Sequence, residues 1–98
     1  MSNQTAVVGG ATGQVTVNVT TWTELKVGAT RLAGRKWLLI QNKSNVHVLF
    51  TTDNTLTLKS CPEIGVGQIM QLPVSESVAV YMKSKSGAGK RVAVMELA

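Results

Sequence analysis

The sequence predicts an all-β fold, an antiparallel β-sandwich of about eight strands, and three observations predict it. Short alternations of apolar and polar residues recur along the chain, and turn signals separate them about every 8–12 residues. No stretch has the spacing of an amphipathic helix. Valine, threonine, glycine and leucine dominate and only two prolines occur, a bias that suits strands and tight turns.

Ninety-eight residues make one domain with one modest core. Residues 1–13, "MSNQTAVVGGATG", are rich in small and polar types with one apolar step at Val7-Val8, and read as a mobile N-terminal arm. The domain then spans 14–98. "QVTVNVT", 14–20, alternates strictly, with Val15, Val17 and Val19 on one face and Thr16, Asn18 and Thr20 on the other. "WTELKV" either continues that strand or turns into a second, shorter one, with Leu25 and Val27 fitting an inward face. Gly28 and Gly34 bracket a loop carrying "ATRLA".

"KWLLIQN", 36–42, is apolar on both faces from Trp37 to Ile40, as a strand buried on both sides would be. "NKSN" is a polar turn, and "VHVLFT", 46–51, is expected to return as its hairpin partner. A short strand through Leu56 and Leu58 follows, then "CPEIGVG" as a loop broken by Pro62, Gly65 and Gly67. "QIMQLPV" is strand-like up to Pro73. "SVAVYMK", 77–83, sets Val78, Val80 and Met82 against Ala79, Tyr81 and Lys83. A tight Gly87–Gly89 hairpin leads into the last strand, "KRVAVMEL", with Val92 and Val94 opposite Ala93 and Met95.

The chemistry-bearing residues are sparse. "SGAGKRV" departs from a phosphate-binding loop: Ser84 stands where its first glycine belongs, Arg91 follows Lys90, and a strand rather than a helix comes next. His47 sits alone in an alternating strand, and no serine occupies a G-x-S-x-G elbow. Glu24, Asp53, Glu63, Glu76 and Glu96 are isolated, mostly at turns or ends, with no pairing for acid–base work. The expectation is therefore no enzyme, no catalytic residues and no cofactor. A metal site is not expected either, since only His47 could join Cys61, and zinc usually takes four such ligands. The lone Cys61 forms no intrachain disulfide, consistent with assembly in a reducing cytoplasm. The N-terminus lacks the basic start and apolar core of a signal peptide. No apolar run approaches the roughly 20 residues of a membrane span, so no membrane partner is expected.

Ten Lys and Arg against five Asp and Glu give a net charge of +5, which favours a polyanionic partner or an acidic protein surface. The basic residues are nevertheless scattered, densest around 31–36 and 83–91. A basic nucleic-acid-binding β-barrel would need aromatics exposed over a positive groove. Only Trp22, Trp37, Phe50 and Tyr81 are available, with Trp37 and Phe50 in the most apolar strands, where the core claims them. Arg35 suits a structural fork onto backbone carbonyls or a carboxylate of a neighbouring strand. Arg31 and Lys36 stay open as interface residues.

"VTTWTELKVGATRLAGRKWLLIQNKSNVHVLF" and "IGVGQIMQLPVSESVAVYMKSKSGAGKRVAVMELA" resemble small tailed-phage virion proteins. Those carry an "aT-x-L-x-x-G-R-x-x-l-x-I-x-N" segment, a later "v-S-x-x-v-Y" strand and a closing "V-x-V-x-E". The resemblance spans roughly residues 15–97, and "TTDNT" departs from the family's Gly-rich tip after the first strand pair. It implies a sandwich that is often jelly-roll-like, and a decoration or cement protein on a capsid, commonly a dimer or trimer, made in the host cytoplasm. The major capsid protein would be its partner. Neck, tail or head-fibre placement is the alternative, and the nucleic-acid module the second. On this reading the shell-facing residues are expected to be Val7 and Val8 of the arm, Arg31, Lys36, and the tip lysines Lys83, Lys85 and Lys90.

Overall fold

Period-two alternation leaves each strand with one dry side, and two such sheets bury those sides against each other. The computed structural model describes residues 9–55 and 61–98. Its strands are β1 (Gly10–Val17), β2 (Thr23–Glu24), β3 (Trp37–Asn42), β4 (Val48–Thr51), β5 (Glu63–Ile64), β6 (Ile69–Leu72), β7 (Tyr81–Ser84) and β8 (Lys90–Leu97). No helix occurs among the described residues.

One sheet runs β1-β8-β3-β6 and the other β2-β7-β4-β5, with every pairing antiparallel. The pairs β1·β8, β2·β7, β3·β6 and β4·β5 describe a chain folded back on itself as one long ribbon. Successive strands of each arm of the ribbon go to opposite sheets, which is the jelly-roll form of the sandwich.

The core lies between the sheets. Val15, Val17, Leu38, Ile40, Val92 and Val94 come from the first, and Val48, Ile64, Val80 and Met82 from the second sheet and its approach. Leu25 and Val74 enter from the connections, and Val27 and Phe50 pack against the cluster. Each fully buried aliphatic side chain contributes roughly 1.5–3 kcal/mol relative to exposure.

Several expectations are corrected. The first strand opens at Gly10, ahead of Gln14, because Gly10 to Gly13 pair with Leu97 to Val94; it ends at Val17, short of Val19. The segments before Gly9, with Val7 and Val8, and the expected strand through Leu56 and Leu58, lie outside the described residues. Glu63–Ile64, expected in a loop, form β5. The segment expected as one strand over 77–83 is a strand only from Tyr81 to Ser84.

The two expected hairpins are arches that carry the chain from sheet to sheet. At the end of β3 the buried Asn42 explains the departure. Its amide donates to the Val46 carbonyl at 2.8 Å and the Ile64 carbonyl at 3.0 Å, and its carbonyl oxygen accepts from the Ser44 backbone N–H at 3.0 Å and hydroxyl at 2.6 Å. These bonds hold 43–47 in a corner from which β4 enters the other sheet. At the second arch, Gly87 and Gly89 take φ of 75° and 68°, which side chains rarely adopt, and Ser84 Oγ donates to the Gly87 carbonyl at 2.7 Å. The arches meet through Lys85 N–H donating to the His47 carbonyl at 2.9 Å.

Truncation tests the layering. Ile40→Ala removes a fully buried side chain and is expected to lower the unfolding free energy by about 2–5 kcal/mol in urea. Ile69→Ser, on the outer face, is expected to change it by no more than about 0.5 kcal/mol.

Candidate interaction surfaces

The alternation Val92, Val94, Glu96 places a carboxylate on the core side of β8, and Glu96 is 1% exposed. An isolated carboxylate there would be too costly to leave charged. Arg35, 2% exposed at the entrance to β3, meets it with Nη1 donating to Glu96 Oε2 at 2.9 Å. Arg35 Nη2 donates to the carbonyls of Ser75 at 3.2 Å and Val78 at 2.6 Å. Its Nε is buried without a hydrogen-bond partner. The carboxylate also accepts the backbone N–H of Val27 at 2.8 Å and of Leu32 at 3.1 Å. Arg35 thus has the structural fork its sequence context suggests. Glu96 was not to be found by counting acids, but its parity with Val92 and Val94 is a readable signal.

This node closes one end of the sandwich and sets the loop 25–36. Gly34, with φ of 69°, makes the turn in which Arg35 N–H donates to the Leu32 carbonyl at 3.1 Å. Around it, Arg31 Nε contacts Glu24 Oε2 at 2.7 Å, Arg31 Nη1 donates to the Glu76 carbonyl at 2.9 Å, and Gly34 N–H donates to Glu76 Oε1 at 2.7 Å. Glu24, Arg31 and Glu76, with Lys26 and Thr30, line an open cleft of about 420 Å³ in which the charges largely answer one another.

The other end holds the arches. Glu63 receives Lys85 Nζ at 3.3 Å and contacts His47 Nδ1 at 3.1 Å, and the hydrogen bonds with His47 first, then Lys85, hold its carboxyl below the usual range. Lys90 Nζ donates to Asn45 Oδ1 at 2.9 Å. Lys83 lies on the outer face of the second sheet, its Nζ 4.8 Å from the centre of the Trp22 ring. The candidate basic residues therefore do not form one patch. Arg31 and half-buried Lys36 stand at one end, Lys85 and Lys90 at the other, and Lys83 on a face between.

The outer face of the first sheet is different in kind. Its cross-strand rows read Thr12–Met95–Leu39–Gln71 and Gln14–Ala93–Gln41–Ile69, with Leu97 beside Trp37 at one end. Trp37, Leu39 and Met95 are half-buried and Ile69 is 63% exposed. A groove of about 140 Å³ runs between Thr12, Leu39, Gln41, Ile69, Ala93 and Met95. β3 is thus apolar on both faces as read, but only its Leu38–Ile40–Asn42 face is fully buried. Trp37, expected in the core, belongs to the outer face.

No group of three or more His, Cys, Asp or Glu among the described residues is placed to hold a metal ion. No helix among them is long and apolar enough to cross a membrane. No family model matches the chain, and no curated protein matches it.

The buried pair gives a direct test. Glu96→Ala and Arg35→Ala each leave a buried charge without its partner and are expected to cost about 3–5 kcal/mol in equilibrium unfolding. The double variant Arg35→Met with Glu96→Leu removes the unpaired charge but takes partners from the Val27 and Leu32 amides and the Ser75 and Val78 carbonyls, and is expected to recover only part of that loss. Near-zero cost in either single variant would show that the pair does not hold this end closed.

Proposed function

We propose that this chain is a structural virion protein that binds the outside of a phage capsid and stabilises it, a decoration or cement protein rather than an enzyme. The observation that carries the reading is the outer face of the β1-β8-β3-β6 sheet, where half-buried Trp37, Leu39 and Met95 stand with exposed Ile69 among threonine and glutamine side chains. Contiguous apolar surface on a small domain marks a protein contact more often than a solvated surface. The resemblance of the strand-entry and closing segments to tailed-phage virion proteins gives that contact an identity, the major capsid protein.

Docking would bury the apolar face, and each copy would add contacts that shell expansion or capsomer loss must break. The net charge of +5 would speed association with an acidic capsid exterior. Because Arg31, Lys85 and Lys83 already have acidic or aromatic partners, their charge is assigned to steering rather than to a single binding patch. A neck, tail or head-fibre fitting would use the same face at lower copy number.

Cosedimentation with purified heads of the phage that encodes the chain tests the reading. Ile69→Lys is expected to weaken shell binding roughly tenfold or more while the urea midpoint is unchanged. Shell binding that is unaffected, or binding that tracks nucleic-acid phosphate and collapses with salt, would contradict it.

A further inference from the structure

A sheet edge offers unpaired N–H and C=O groups to any passing strand, and proteins usually guard it. This sandwich guards three of its four edges. β2 and β5 have two residues each and carry Glu24 and Glu63, and the four-residue β6 runs into Pro73. β1 is unlike them. It has eight residues, GATGQVTV, with no charge and no proline, and its register with β8 runs without a bulge from Gly10↔Leu97 to Val17↔Lys90. Among the described residues no strand pairs with its far side.

The ladder also fixes which groups face outward. Gly9 and Ala98 exchange both N–H···O bonds, at 3.3 and 2.9 Å. Hydrogen-bonded pairs alternate along an antiparallel ladder, so Ala11, Gly13, Val15 and Val17 also bond toward β8. Gly10, Thr12, Gln14 and Thr16 therefore direct their backbone N–H and C=O toward the open edge.

We propose that β1 pairs with β1 of a second copy of this chain, antiparallel about a two-fold axis at Gly13, joining two four-stranded sheets into one continuous sheet. Centred there, Gly10 meets Thr16 of the other copy and Thr12 meets Gln14, so all four outward residues are paired and each such pair exchanges two hydrogen bonds. Gly13 faces its own equivalent in a non-hydrogen-bonded pair, where backbones approach to about 4.5 Å. A second copy is the occupant because the pairing is self-complementary and closes on itself. It also places no charges opposite each other, although the chain carries +5 overall. Val27, whose Cγ1 lies 3.1 Å from where a Gly13 Cβ would be, flanks the axis from the core side in both copies. This pairing does not depend on the capsid reading.

Sedimentation equilibrium of the full chain, with amide hydrogen exchange followed by NMR, tests it. A dimer is expected, with the amides of Thr12, Gln14 and Thr16 protected at concentrations where it forms and fast when diluted to monomer. Thr12→Pro removes an outward N–H without touching the β8 ladder and is expected to raise the dimer Kd roughly tenfold or more. The paired Thr12→Lys, Gln14→Lys variant is expected to do the same. A monomer at all accessible concentrations, a trimer, or a dimer whose Thr12, Gln14 and Thr16 amides stay fast would each overturn the proposal. So would an unchanged dimer Kd in the folded variants. If Thr12→Pro does not fold, the lysine variant and the exchange pattern of the unaltered chain decide.

Discussion

A guanidinium and a carboxylate removed from water together shape this structure more than any other contact. Arg35 and Glu96 lie almost fully buried at one end of the sandwich, far from aqueous screening. Their charges are tolerable only because four further groups complete the site: the Ser75 and Val78 carbonyls on one side, and on the other the Val27 and Leu32 amides, with the pair's own contact between. Those partners belong to the connection before β3 and the connection before β7, while Glu96 itself belongs to the last strand. The pair therefore decides where two loops run, and with them how Leu25 and Val74 enter the core. An apolar plug could close the same end; it would not select one path for two loops through directed hydrogen bonds.

The opposite end uses neutral chemistry for the same task. Asn42 spends its side-chain amide on carbonyls from two segments, and so bends the chain out of one sheet into the other. Between these two fixed ends the sheets pack by simple alternation. Among the described residues, what the fold leaves over is surface: one sheet face that turns Trp37, Leu39, Met95 and Ile69 outward, and one long strand edge without the usual guards. Both are properties of the same β1-β8-β3-β6 sheet. The second sheet instead carries Trp22 under Lys83 and short, charged edges.

Most of the fold was legible because strand alternation is a local property. Val15, Val17, Leu25, Leu38, Ile40, Val48, Val80, Met82, Val92 and Val94 all lie inside, each on the side its alternation assigns. Alternation does not say which sheet a strand joins, so two arches read as hairpins, and polar turn residues look alike in both. Nor does composition reveal where a strand pairs: Gly10 to Gly13 look like arm, yet β8 is long enough to hold them. Glu96 counts among isolated acids, mostly at turns or ends, when acids are surveyed for pairing, whereas its place in the Val92–Val94 alternation puts it inside. The candidate surface was half visible. The two-sided apolarity of "WLLI" suggests burial between layers, whereas Trp37 and Leu39 lie half-buried on the outer face. The scattered lysines gave no such signal, since only folding shows which carboxylates and rings they meet.

The proposed role is that of a small basic sandwich gaining stability by being assembled onto something larger, through the outer face that carries Trp37, Leu39, Met95 and Ile69. Copy number in purified virions, measured against the major capsid protein by quantitative mass spectrometry, tests that most directly. A stoichiometry comparable to the shell subunit is expected. A handful of copies per particle would contradict shell decoration and favour the neck or tail, and complete absence from the particle would contradict the virion reading itself.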